Sequence, residues 1–380
     1  MVDTILILGN GFDLAMGRKT SYKDFLEFAE KLFPIPDKEY ENFLTEHKIS
    51  TEKYEDNLYL RYIREKRTTL GENWSNLEIM ISWLAEAIDY FKSNTNLLYN
   101  NDLNVPKDLS IEMLQDRFVT ESNSIAKSYI AGIFLELFYQ QKWKNLERNE
   151  ALNQFNDIFI DHLYSLTELL EIYLTYVEEF EVSFYKFQQT ALNAISDIEN
   201  SYVINFNYTH TFNELFNIPI EKTHFIHGEI NLKRLDYEIN TMVFGIEDKG
   251  NEINNGLIPY QKFYQRIVKE TGNMYEKFFT DRSKDNIWGS KPFLNIVVFG
   301  HSVDPLDKEI FRKCFDLLKN SSDYRFIFTY YDDPTKRSII KNLVIILGKD
   351  RLVELTGQRK VVFVKSEDVG GMSHVLLEWE

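Results

Sequence analysis

The sequence predicts an α/β protein, a parallel sheet carrying a large all-helical insertion. Three observations predict it. An apolar run near the N-terminus ends at a glycine. A long middle zone shows helical periodicity with almost no proline or glycine. The last part of the chain alternates β-rich runs with helical patterns. With 380 residues and 44% hydrophobic composition, the chain can bury a sizeable core, roughly two to three domain-sized units.

TILILG (Thr4–Gly9) is the first element. Its unbroken apolar run from Ile5 to Leu8, bounded by glycine, is the pattern of a strand buried on both faces. Gly9, Gly11 and Gly17 follow with Gly-x-Gly-x5-Gly spacing. Thr20 or Ser21 then caps a helix through YKDFLEFAEKLF. From Pro34 to Asn200 the segments YLRYIREKR, NLEIMISWLAEAIDYF, AKSYIAGIFLELFYQQKW and DHLYSLTELLEIYLTYVEEFEVSFYKFQQTALNAI carry apolar residues at helical spacing. Proline is absent from Lys107 to Ile218, and glycine occurs there only at Gly132. This zone is expected to cover a site or to make subunit contacts.

The third zone holds YVINF (Tyr202–Phe206), THFIHG (Thr223–Gly228), TMVFG (Thr241–Gly245), FLNIVVFG (Phe293–Gly300) and YRFIFTY (Tyr324–Tyr330). Helical patterns such as PLDKEIFRKCFDLLKN and DPTKRSIIKNLVIILG separate several of them. Strands alternating with helices indicate a Rossmann-like parallel sheet covered on both faces. The expected organisation is an α/β domain from residues 1–33 and 201–380, with 34–200 as the helical insertion.

A net charge of −16 argues against a free-standing binder of nucleic acid, which usually carries a basic stripe. Cys314 is the single cysteine, so neither an internal disulfide nor a paired-cysteine zinc clasp can form, and a reducing, cytoplasmic setting is expected. No apolar run approaches the ~18 residues of a membrane span.

Ligands of open parallel sheets bind beyond the carboxyl ends of the strands. Polar residues and glycines recur there: Gly9-Asn10-Gly11, Asn205 to Thr209, His227-Gly228, Gly245 and Gly300-His301-Ser302. A strand, a glycine turn and a helix start make a phosphate nest, although a tight connection without ligand fits the same residues. Asp13 beside such a nest would repel a phosphate; it would cap backbone amides, touch a ribose hydroxyl or hold a metal. His227 ends an apolar run and can take a proton near neutral pH. His224, three residues earlier, falls on the opposite face, which disfavours a paired metal site. Asn207 can align a water or a carbonyl. Asp304-Pro305-Leu306-Asp307 reads as a helix cap, a proline in the first turn and an acidic start, so both aspartates are expected to be structural. Trp74 and Glu78 share one helix face, with core packing the plainer reading.

GNGFDLAMGRKTSYKDF, NWSNLE, NFNYTHTF, FIHGEI, MVFGIED and VVFGHSVDPLDKEIF together resemble the bacteriophage abortive-infection AbiH family, from end to end of the chain. The resemblance implies a defence effector that stops the growth of infected cells or kills them. The order of motifs is also similar to that of sirtuin-type NAD-binding domains. By that similarity Gly9, Gly11 and Gly17 match the glycine turn, and Asn207 the asparagine that places water or ribose. His227 matches the general base, and Gly300 with Ser302 the last turn. It implies NAD as a substrate, with no zinc, since one cysteine cannot build the four-cysteine module. The residues expected to bind NAD are Gly9, Asn10, Gly11, Asp13, Gly17, Gly228, Gly300, His301 and Ser302, although Asp13 departs from the sirtuin pattern. The expected activity is hydrolysis of the nicotinamide glycosidic bond. Two other classes stay open: a nucleotide sensor without turnover that signals through its helical lobe to a partner or a second copy, and a metal-dependent nuclease using Asp13, His227 and His301.

Overall fold

The computed structural model describes residues 2–33, 35–70, 74–93, 148–180, 189–235, 238–246, 256–280 and 293–378. The run AKSYIAGIFLELFYQQKW lies outside them, as do residues 181–188 of the last helical segment.

The α/β expectation is met, among the described residues, by a six-stranded, all-parallel sheet. Its strands are β1 (Val2–Leu8), β2 (Tyr202–Asn205), β3 (Thr223–Phe225), β4 (Phe293–Phe299), β5 (Tyr324–Tyr330) and β6 (Val361–Lys365), in the order β3-β2-β1-β4-β5-β6. β1 pairs in register with β4 from Val2↔Phe293 to Leu8↔Phe299, and with β2 from Ile5↔Tyr202 to Leu8↔Asn205. The strand order therefore reverses between β1 and β4, the place where doubly wound sheets open a crevice.

The unbroken apolar run of β1 is explained by cover on both faces. Side chains alternate across a strand. Ile5 and Ile7 point into a core with Ile296, Val298, Ile310, Phe311 and Phe315. Leu6 and Leu8 point into another with Phe12, Phe212, Val297, Phe299 and Met372. All four β1 residues are fully buried.

The chain forms two compact units. One comprises Met1–Phe25, Glu171–Met242 and Lys269–Glu380 and holds the sheet; the other comprises Leu26–Leu170 and Val243–Val268. These bounds differ from those expected at residues 33 and 200. Ala191 and Leu192 pack in the sheet core, which draws the stretch before β2 into the first unit. In the second unit, Leu77, Met80, Ile81, Leu84 and Ala85 of the Trp74–Ser93 helix are buried at helical spacing. Buried Lys262 pairs with the partly buried Glu78 of the same unit at 2.9 Å.

Two strand expectations need correction. TMVFG is not a strand of the sheet. The Gln265 side chain stands in for a strand partner there: Phe244 N–H donates to Gln265 Oε1 (3.0 Å), and Gln265 Nε2 donates to the Phe244 carbonyl (3.1 Å). Gly245 therefore belongs to the second unit and not to the sheet's strand ends. In THFIHG only Thr223–Phe225 is strand, and His227 sits in the turn beyond it. Strand β6 and the Val369–Leu377 helix after it were not anticipated.

Candidate functional site

The loops after β1, β2, β3 and β4 all belong to the sheet unit. Those after β1 and β4 touch through their glycines. Gly11 N–H donates to the Gly300 carbonyl (2.8 Å) and Gly9 N–H to the Phe299 carbonyl (3.0 Å). A Cβ on Gly9 would lie 2.7 Å from His301 Cα, and one on Gly11 2.8 Å from Gly300 Cα. The space expected to hold a phosphate at Gly9 and Gly11 is thus filled by the β4 turn, and their amides already donate to backbone. The glycines are required because two backbones meet. Gly17 differs: it follows the Asn10–Ala15 helix at φ +80°, where a Cβ would meet nothing within 4 Å.

Asn10 and Thr20 exchange hydrogen bonds: Asn10 Nδ2 donates to the Thr20 carbonyl (3.1 Å), and the Thr20 hydroxyl donates to Asn10 Oδ1 (2.6 Å). Asn207 spans two strand ends, its Nδ2 donating to the Gly9 carbonyl at 3.2 Å while its own N–H donates to Asn205 Oδ1 at 2.9 Å.

Asp13 is not the expected cap, since the Asn10–Ala15 helix has no side-chain cap. Its buried carboxylate accepts from the Thr209 hydroxyl at 2.5 Å. Burial pushes its pKa up to about 6, against the opposing pull of the Thr209 hydrogen bond and the Arg18 charge. The folded state thus binds this proton more tightly than the unfolded chain, and stability falls as pH rises from about 4 to about 6. Two pKa units correspond to about 3 kcal/mol. Asp13→Asn should therefore gain on the order of 1–3 kcal/mol over wild type at pH 7 and nothing near pH 3, read from urea unfolding. An equal difference at both pH values would contradict this.

At the ends of β3 and β4 three ionisable side chains meet. His227 Nε2 lies 3.1 Å from Asp307 Oδ1, and His301 Nε2 lies 3.7 Å from Asp307 Oδ2. Both histidines are buried, and the Phe206 ring packs edge-on against each, 5.5 Å from His227 and 4.3 Å from His301 between centroids. Val303 N–H donates to His301 Nδ1 at 2.8 Å. Val303 reaches that position at φ +55°, a region β-branched residues avoid and one that clusters at functional sites. Gly228 follows His227 at φ +75°, and a Cβ there would lie 2.0 Å from the Thr241 carbonyl oxygen. Ser302 is exposed at the loop tip.

The structure separates the remaining candidates. His224 stacks on Tyr275 at 5.5 Å, and burial lowers its pKa to about 4. Asp304 is the expected cap and accepts from Leu306 N–H at 3.0 Å. Asp307 makes no such bond and turns to the histidines. Glu78 lies in the second unit, and the Trp74 side chain is outside the described residues.

Sequence reasoning missed Asp307 and His210. His210 lies between Glu178 Oε2 (3.2 Å from Nδ1) and Glu229 Oε2 (2.7 Å from Nε2). Burial alone would lower its pKa, but the two carboxylates outweigh that and raise it to about 10. His210 is therefore an imidazolium at neutral pH and not a base.

A doubly wound parallel sheet, with polar loops and a buried histidine–aspartate cluster beside its reversal of strand order, defines a Rossmann-like α/β protein with a candidate site at its strand ends. The chain belongs to the bacteriophage abortive infection AbiH family, which matches residues 5–330. That span runs from β1 to the end of β5 and contains every loop described above. Its role is accordingly in anti-phage abortive infection. No curated protein matches the chain. No helix among the described residues is long and apolar enough to cross a membrane.

Proposed function

We propose that this AbiH protein acts in phage defence by binding NAD or a related nucleotide at the carboxyl ends of β1 and β4 and hydrolysing its nicotinamide glycosidic bond. The observation that carries the proposal is the pairing of His227 with Asp307 beside the strand-order reversal. An imidazole whose Nε2 donates to a carboxylate has its basic lone pair on Nδ1. In the proposed step a water oxygen bonds to C1′ of the nicotinamide ribose as the C1′–N bond breaks. The electron pair neutralises the pyridinium nitrogen, and the proton of the water passes to His227 Nδ1. Asn207 orients the water, and a dry, polar surround stabilises the oxocarbenium-like charge. The nucleotide phosphates are assigned to the exposed side of the β4 turn at Ser302, because the Gly9 and Gly11 amides are already engaged.

The burial of His227, His301 and Asn207 favours a second reading, in which the nucleotide is sensed and not turned over. One assay separates the two. Purified protein is incubated with NAD, with and without extract of phage-infected cells, and nicotinamide release is followed by chromatography. Release under either condition is expected. Saturable NAD binding with no release under both would favour sensing, and the absence of binding as well would contradict both readings.

A further inference from the structure

Asp307 ends the short turn Pro305–Asp307, which Asp304 caps and which leads directly into the next helix. It is the N-cap residue of the ten-residue Lys308–Leu317 helix, where an aspartate ordinarily accepts from an amide two or three residues on. Its carboxylate forgoes that bond, while Asp304 three residues earlier makes one. The two oxygens of Asp307 each face an imidazole Nε2 instead. For His301 the geometry specifies the proton: Nδ1 accepts from Val303 N–H, so the hydrogen of the neutral ring is on Nε2, facing Asp307.

We infer that Asp307 is the positioning residue of this site: its carboxylate holds His227 by Nε2, fixes the tautomer whose basic nitrogen is Nδ1, and sets its other oxygen 3.7 Å from Nε2 of His301, the ring that Val303 N–H orients. The role assigned to Nδ1 rests on the proposed hydrolysis, but the tautomer is a property of the protein without ligand.

The test uses full-length protein labelled with 15N in its histidine rings. Long-range proton–nitrogen NMR at mildly alkaline pH, without nucleotide, reads the tautomer of each neutral ring. In wild type both His227 and His301 should show the proton on Nε2. Asp307→Ser keeps a good capping side chain but is too short to reach the rings. It should release His227 into a mixture of tautomers. Asp307→Asn removes the charge that both rings face and can turn its amide donor toward His227 Nε2, so the signals of the His227 ring should shift. It also serves if the serine variant fails to fold. Unchanged ring signals in a folded variant would overturn the inference.

Turnover gives a second arm. With NAD as substrate, Asp307→Asn should lower kcat by about 100-fold or more and leave KM near wild type, the pattern of a misplaced tautomer. If the ring signals change as expected but wild type releases no nicotinamide, the hydrolysis fails and the positioning role stands. If wild type releases nicotinamide and the signals do not change, the positioning role alone fails.

Discussion

Gly300→Ala should destabilise the protein by more than about 4 kcal/mol, the range in which single substitutions become exceptional. Two effects add. Gly300 sits at φ +69°, where an L side chain costs about 1–2 kcal/mol. A Cβ would also lie 2.2 Å from Phe12 N and 2.6 Å from the Gly11 carbonyl carbon. Neither is the flexible end of a side chain. Both belong to the β1 turn, which is tied by the Gly9 and Gly11 hydrogen bonds to the β4 loop, so relief requires parting the two central strand ends. A fall in Tm on the order of 10 °C is expected for a unit of this size. Gly17→Ala is the control: with the same sign of φ and no neighbour within 4 Å, it should cost only about 1 kcal/mol. Equal losses for the two variants would show that backbone conformation alone, and not the meeting of the loops, requires glycine.

His227→Ala should slow nicotinamide release by about 10²–10⁴-fold, the usual contribution of a positioned general base. A base takes up its proton only as the transition state forms, so kcat falls and NAD binding stays within a few-fold of wild type. His210→Ala makes a pointed comparison. Its two carboxylates keep His210 charged up to about pH 10, so it has no lone pair to offer at neutral pH, and its loss should leave the pH dependence of kcat unchanged. Retention of more than a tenth of the wild-type rate in a folded His227→Ala protein would remove His227 from the chemistry.

The fold was legible where a pattern has one physical meaning. Ile5 to Leu8 could be read as a doubly covered strand because no one-sided strand tolerates an unbroken apolar run, and both faces of β1 are indeed covered. TMVFG misled because its backbone is satisfied by a side chain 21 residues away, a tertiary substitution with no local signature. The candidate site was legible as a set of strand ends and not as chemistry. The glycines marked the place where two loops touch, but the sequence does not say whether a ligand or another backbone fills the space that their missing side chains leave. Asp307 was hidden by its own neighbourhood. Asp-Pro-Leu-Asp reads as a cap, a first-turn proline and an acidic start, and it forms that turn; nothing in the pattern says that the second aspartate also faces two histidines. His210 gave no signal because Glu178 and Glu229 approach it from 32 and 19 residues away.

The central claim is that a nucleotide lies at the carboxyl ends of β1 and β4, against His227. Hydrogen–deuterium exchange with and without saturating NAD reads this directly. Amides in residues 9–13, 205–210, 226–230 and 299–307 should exchange more slowly with the nucleotide present. Unaltered exchange in all four loops, or protection confined to other parts of the chain, would contradict it.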